Sequence, residues 1–86
     1  MQAIELDVSD LAPPEPMEKI IFHLAKLANQ HYLKVYHRRL PYPLFKVLVE
    51  NGWQYYYQET KQGGYIIYIY RKNDTELFNQ IIAKLS

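Results

Sequence analysis

Residues 53–71 read WQYYYQETKQGGYIIYIYR, and this stretch carries the strongest indication of the fold. Aromatic and β-branched residues dominate positions 53–59 and 65–71, which is typical of strands. The segment Lys61-Gln62-Gly63-Gly64 lies between them and includes the glycines that suit a hairpin connection. Residues 53–71 therefore predict an antiparallel hairpin.

The residues at the start of the chain predict a strand followed by a helix. Ile4, Leu6 and Val8 alternate with acidic residues, as in a strand with one buried face. Apolar residues then recur at three- and four-residue spacing over residues 17–28, which indicates an amphipathic helix. Pro16 suits the first position of that helix, where its missing N–H has no cost.

A second strand–helix unit and a final helix complete the predicted order. We expect the strand at about residues 32–37 and a short helix at about residues 43–49, which Asn51-Gly52 closes. The final helix is expected at about residues 74–85. Its predicted apolar stripe consists of Leu77, Phe78, Ile81, Ile82 and Leu85.

These elements predict an α/β fold of the two-layer α+β type, in the order β-α-β-α-β-β plus a C-terminal helix. A strand, a helix and a strand in succession imply a right-handed parallel crossover, whereas the hairpin is antiparallel. The sheet is therefore expected to be mixed and four-stranded, with the two crossover helices on one face. The chain of 86 residues is expected to form one domain, with a core at residues 4–72.

Composition excludes several classes of function. The chain has no cysteine, which rules out disulfides, thiolate metal sites and a cysteine nucleophile. A net charge of +1 gives no general attraction to nucleic acid or to anionic membranes. Neither a membrane-spanning stretch nor a signal pattern is visible, so we expect a cytoplasmic protein without nucleic-acid or membrane partners.

The turn before the first helix resembles that of a known family. Leu6-Asp7, Leu11 and Pro14-Glu15-Pro16 are similar to the start of the TusA/SirA-like proteins, which are small sulfur carriers with a Cys-Pro-x-Pro motif. Pro13 occupies the position of the cysteine that carries a persulfide in that family, and Asp10 stands where glycine is usual. The resemblance implies the scaffold, but persulfide transfer requires a thiolate that this chain lacks.

A closer resemblance is to a cysteine-lacking branch of the same fold, the domain-of-unknown-function family 2249. The similarity covers about residues 4–72 and includes the Pro-Pro-Glu-Pro turn, His37 with Pro41 and Leu44, and Gly52-Trp53. Relatives often carry acidic residues directly after the histidine, whereas this chain has Arg38-Arg39. The resemblance implies a fold and supplies no biochemical role.

Two segments are expected to form the functional surface, because both crossover helices start at the same end of the sheet. We predict that His37, Arg38, Arg39 and Tyr42 bind a small anionic ligand, and that Pro13, Pro14, Glu15 and Pro16 contribute a partner surface. The alternatives are a solvated charged loop, a purely structural proline turn, and a histidine bonded to neighbouring backbone. His23 and His31 fall elsewhere, so no metal site is expected.

The tyrosines predict a second surface. Alternation in the strands places one set of aromatic residues on the face away from the two crossover helices, namely Tyr32, Tyr36, Tyr56, Ile66, Tyr68 and Tyr70. Three interpretations stay open: the final helix covers this face, two subunits pair through it, or it stacks single-stranded nucleic acid. Of these residues, Tyr56, Tyr68 and Tyr70 are the candidates for a partner surface.

No nucleophile, base and orienting group stand together in the sequence, and no glycine-rich phosphate loop is present. We therefore predict a non-enzymatic binding or interaction module without a cofactor, which acts as a monomer or a homodimer. Its partner would be an unidentified protein or a small anionic ligand. The alternatives are an accessory protein of sulfur or redox metabolism that binds such a ligand or a cofactor, and a structural dimer through the tyrosine-rich face.

Overall fold

The computed structural model describes residues 2–85 and has the predicted order of elements. The strands and helices are β1 (Gln2–Asp7), α1 (Glu15–Ala25), β2 (His31–His37), α2 (Tyr42–Glu50), β3 (Trp53–Glu59), β4 (Tyr65–Arg71) and α3 (Thr75–Leu85). Within these residues, no helix is both long and apolar enough to cross a membrane.

The four strands form one mixed sheet, as predicted, and their spatial order is β1-β2-β4-β3. Strands β1 and β2 are parallel, and β4 is antiparallel to both of its neighbours, β2 and β3. Because β4 opposes both neighbours, β3 runs in the same direction as β2. Each of the helices α1 and α2 therefore connects two strands of like direction, and both helices begin at the same end of the sheet.

The core lies between the sheet and the helices α1 and α2. Leu33, Val35, Ile67 and Ile69 from the two central strands are 0% exposed and form one cluster with residues of both helices. The contributions of the two helices are Ile20 and Leu24 from α1, and Leu44, Phe45 and Leu48 from α2. The prediction that both crossover helices share one face of the sheet is confirmed.

The apolar stripe predicted for α1 is longer and wider than the surface that this helix buries. The helix ends at Ala25, although Leu27 beyond it is buried. Ile21 is 42% exposed because it faces the shallow groove between α1 and α2, away from the sheet. Periodicity alone could not separate residues that face the sheet from residues that border a neighbouring helix.

The side chain of Arg71 binds the segment that follows α1. Its Nη2 donates to the carbonyl oxygen of Leu27 at 2.6 Å, and its Nη1 donates to that of Ala28 at 3.2 Å. The guanidinium also lies over the ring of Trp53, 5.2 Å from the ring centre. Arg71 thus joins the end of β4 to the segment after α1 and to the start of β3.

Helix α3 lies against the opposite face of the sheet. Its residue Ile81 is 2% exposed and forms a second cluster with Tyr32, Tyr68 and Tyr70, which are 5–7% exposed. Of the three interpretations of the tyrosine-rich face, the structure therefore shows cover by the final helix. The side chains of Leu77, Phe78 and Leu85, which belong to the predicted stripe, lie outside the described part of the structure.

Candidate functional site

A cleft of about 450 Å³ opens at the end of the sheet where α1 and α2 begin. One wall comes from the segment between β1 and α1, and the other comes from the segment between β2 and α2. The residues that line it are Val8, Leu11, Pro13, Pro14, Pro16, Met17, His37, Arg38, Arg39, Leu40, Pro41 and Pro43.

Backbone hydrogen bonds shape the first wall. The N–H of Val8 donates to the carbonyl oxygen of Tyr36 at 2.9 Å, which extends the pairing of β1 and β2 to the rim of the cleft. The N–H of Leu11 then turns back to the oxygen of Val8 at 3.1 Å. Pro16 is buried at the start of α1, where a proline with its fixed φ needs no hydrogen-bond partner for nitrogen. The result is a rigid apolar wall.

The second wall carries the polar groups of the cleft. It begins with His37 at the end of β2, where the N–H of Arg39 donates to Nδ1 of His37 at 3.2 Å. This bond to neighbouring backbone is the alternative given for His37 in the sequence analysis, and ligand binding by this residue stays a prediction. Toward α2, the carbonyl oxygen of Pro41 accepts from the N–H of Leu44 at 2.9 Å as the helix begins.

The environment of His37 favours the neutral ring. Burial lowers the pKa of His37 below its ordinary value of 6.5, and the positive charge of Arg38 lowers it further. Because Nδ1 accepts a hydrogen bond from Arg39, the proton of the neutral ring is placed on Nε2. The ring can thus offer one donor without adding a charge.

The guanidinium groups of Arg38 and Arg39 are exposed at the mouth of the cleft. Among the side chains that the structure describes, neither group has a hydrogen-bond or ion-pair partner. Their charges are consequently not neutralised by the protein itself. Two such cations above an apolar cavity suit an anionic group attached to an apolar body.

The structure brings together six of the residues predicted for the site. Pro13, Pro14 and Pro16 line the same cleft as His37, Arg38 and Arg39.

The other predicted site residues lie elsewhere. Tyr42 is 67% exposed and is not part of the cleft lining; its ring meets that of Phe45 edge-on at 6.0 Å. Glu15 is exposed in the first turn of α1, outside the lining. Tyr68 and Tyr70 are buried beside α3, and Tyr56 packs against the same cluster half-buried, so these three belong to the opposite face.

Sequence reasoning missed the apolar members of the cleft. Leu11 and Met17 flank the proline turn, and Leu40 separates the two arginines from Pro41. The sequence does contain an indication of these residues, because apolar residues stand next to both turns at the end of the sheet where a ligand is predicted to bind. In the sequence, Leu11 belongs to the family-like turn and Met17 to the helical spacing, and neither pattern indicates that the two residues share a cleft.

A second, shallower groove of about 580 Å³ lies on the other side of His37, toward the outer face of the sheet. The residues around it include Asp7, whose Oδ1 accepts from the N–H of Ser9 at 2.9 Å and from its hydroxyl at 2.6 Å. These two bonds lower the pKa of Asp7. Among the described residues, no three His, Asp or Glu side chains gather as a metal-binding group.

Comparison with known proteins yields one match. Residues 5–71 match the family model described as "Uncharacterized conserved protein (DUF2249)". No curated protein and no solved structure matches the chain.

Proposed function

Because the chain belongs to the DUF2249 family, whose description names no activity, we propose its function from the cleft itself. The protein is a small non-enzymatic binding module, and its ligand is a small molecule with an apolar body and an anionic group. The apolar body lies between the proline turn and Leu40. The anionic group meets Arg38 and Arg39 at the mouth.

One observation carries this proposal: a cleft with apolar walls is bordered by two arginines that have no ion-pair partner among the described residues. A volume of about 450 Å³ falls within the range of small-molecule pockets, which bind largely through apolar walls and a few placed polar groups. The neutral ring of His37 supplies a hydrogen-bond donor next to these charges. The Nδ1 atom of His37 is engaged by the N–H of Arg39, and the cleft lining contains no serine, threonine, cysteine or lysine, which supports binding over nucleophilic catalysis.

The proposed scaffold is that of the TusA/SirA-like sulfur carriers. The element order and the Pro14-Glu15-Pro16 turn support this relationship. At the cysteine position of that family stands Pro13, which lines the cleft. A chain without cysteine cannot form a persulfide there, so we propose that it retains the binding surface of the scaffold without the transfer chemistry.

The test compares an anionic probe with an uncharged probe of the same shape. Phenylbutyrate and phenylbutanol are titrated into the wild-type protein, and binding is followed by NMR chemical-shift changes of the amides around the cleft. We expect phenylbutyrate to bind and phenylbutanol to bind about tenfold more weakly, because only the former pairs with the arginines.

A double variant and a matched control assign the charge effect to its residues. Arg38→Ala/Arg39→Ala should weaken phenylbutyrate binding by about tenfold or more and leave phenylbutanol binding unchanged. Lys46→Ala/Lys61→Ala removes the same formal charge outside the cleft lining and should leave both affinities unchanged. Equal losses in the two double variants would refute the site, since a general charge effect would then account for binding.

A further inference from the structure

Among the described residues, strand β3 pairs with β4 alone and is therefore an open edge of the sheet. The hydrogen bonds at the two ends of the hairpin show which of its backbone groups face β4. The N–H of Lys72 donates to the oxygen of Gly52 at 2.9 Å, and the N–H of Thr60 donates to that of Gly64 at 2.7 Å. Bonded positions alternate along an antiparallel strand, so the even-numbered residues between these ends bond to β4.

The odd-numbered residues of β3 consequently direct their N–H and C=O groups away from the sheet. These residues are Trp53, Tyr55, Tyr57 and Glu59. Open edges are usually protected by lysine, proline, a bulge or several charges. Strand β3 contains neither lysine nor proline, and its single charge is at Glu59. The opposite edge, β1, carries acidic residues at both position 5 and position 7.

The sequence of β3 is nearly the same in both directions. Around Tyr56 stand Tyr55 and Tyr57, and beyond them stand Gln54 and Gln58. An antiparallel copy of this strand, centred at Tyr56, therefore places each of these residues opposite a residue of the same type. The same register sets the outward backbone groups of one copy against the outward groups of the other.

We propose that β3 pairs with β3 of a second copy of this chain, antiparallel about a two-fold axis at Tyr56. The two sheets then become one continuous sheet, and the odd-numbered residues of both copies exchange about eight hydrogen bonds. Such an interface is closed and uses the same surface on both subunits. It leaves the cleft free, because no cleft residue belongs to β3.

The side chains of β3 suit this arrangement on the face of the sheet that bears α1 and α2. The ring of Tyr57 is 40% exposed and lies nearly parallel to that of Phe45, at 5.7 Å and 9°, and to that of Tyr55, at 6.5 Å and 14°. Pairing places Tyr57 beside Tyr55 of the second copy, so the row of aromatic rings continues across the axis.

The charges at the ends of the strand are also complementary. In this register Glu59 stands opposite Trp53 of the second copy. Within each copy, the guanidinium of Arg71 lies over the ring of Trp53, 5.2 Å from the ring centre. Each end of the paired strands therefore brings a carboxylate toward a guanidinium, which favours this register.

A charge-pair experiment tests the register. Gln54 of one copy faces Gln58 of the other, in positions where side chains of paired strands come closest. In the variant Gln54→Lys/Gln58→Lys, a lysine of one copy faces a lysine of the other at both of these contacts. The repulsion should raise the dimer dissociation constant about tenfold, as measured by sedimentation velocity over a concentration series. In the control Gln54→Lys/Gln58→Glu, a lysine faces a glutamate at both contacts, so this variant should dimerise at least as well as the wild type.

Two outcomes would overturn the proposal: a wild-type protein that sediments as a monomer at millimolar concentration, or equal dissociation constants for the two double variants. Hydrogen exchange of the wild type gives a readout that needs no variant. Raising the concentration into the dimer range should slow the amides of Tyr55 and Tyr57, and unchanged exchange there would also contradict pairing at this edge.

Discussion

The imidazole of His37 connects the strand end to the cleft. Its Nδ1 accepts the N–H of Arg39, and this bond holds the turn that presents both arginines. Protonation of the ring would replace that acceptor with a donor, so the bond exists only in the neutral form. The charge of Arg38 opposes protonation as well.

Stability should therefore depend on pH through His37. The pKa of His37 in the fold lies below its ordinary value of 6.5, so the unfolded chain binds more protons at acidic pH. The free energy of unfolding is expected to be highest above pH 6.5 and to fall as the pH is lowered toward the depressed pKa. Urea unfolding at a series of pH values from neutral to mildly acidic measures this slope.

The variant His37→Asn is the matched control for this prediction. Its amide oxygen can accept the N–H of Arg39 in place of Nδ1, and it does not titrate. We expect a flatter pH dependence between neutral and mildly acidic pH than in the wild type. An unaltered slope in His37→Asn would assign the pH dependence to other groups.

At the scale of elements, periodicity predicted every helix and strand because each buries one face. The hairpin was the clearest case, since residues 53–59 and 65–71 became β3 and β4 with unchanged bounds. The end of α1 was not predictable, because Leu27 is buried beyond the helix and continues its apolar spacing. The carbonyl oxygen of Leu27 bonds to Arg71, more than forty residues further along the chain, and local sequence contains no record of such a partner.

Helix α3 offers a direct test of the cover over the tyrosines. Ile81 is its buried residue in the described part of the chain and packs on Tyr32, Tyr68 and Tyr70. Ile81→Ala should lower the free energy of unfolding by about 2 kcal/mol or more, through lost burial and the cavity left behind. Urea denaturation followed by tyrosine fluorescence measures the change.

Gln80→Ala provides the control within the same helix. Gln80 is exposed, and alanine favours the helix, so its unfolding free energy should stay within about 0.5 kcal/mol of the wild type. If Ile81→Ala is as stable as Gln80→Ala, α3 does not contribute to the fold through this contact.

At the scale of the whole molecule, the sheet has helices on both faces, and its two central strands contribute buried residues to the clusters on both sides. The end of the sheet that holds the cleft was predictable, because topology alone sets where both crossover helices begin. The absence of Tyr42 from the cleft lining was not predictable, since its ring packs edge-on against Phe45. Topology could thus locate a candidate site, whereas side-chain packing determined which residues line it.

This architecture predicts a gradient of local stability. The strands β2 and β4 have neighbours on both sides, and Leu33, Val35, Ile67 and Ile69 are fully buried there. Their amides should exchange hydrogen most slowly, at rates set by global unfolding. The amides of α3 should exchange faster, because this helix can detach while the sheet stays intact. Equal protection of α3 and β4 would show that the molecule opens only as a whole.

The position of α3 on the outer face of the sheet also bears on aggregation. When this helix detaches, it uncovers the tyrosines on which it packs. The same opened molecule still carries the edge of β3, where backbone N–H and C=O groups face outward. Exposed apolar surface and an unpaired strand edge are the two features that make a partly opened chain prone to aggregate.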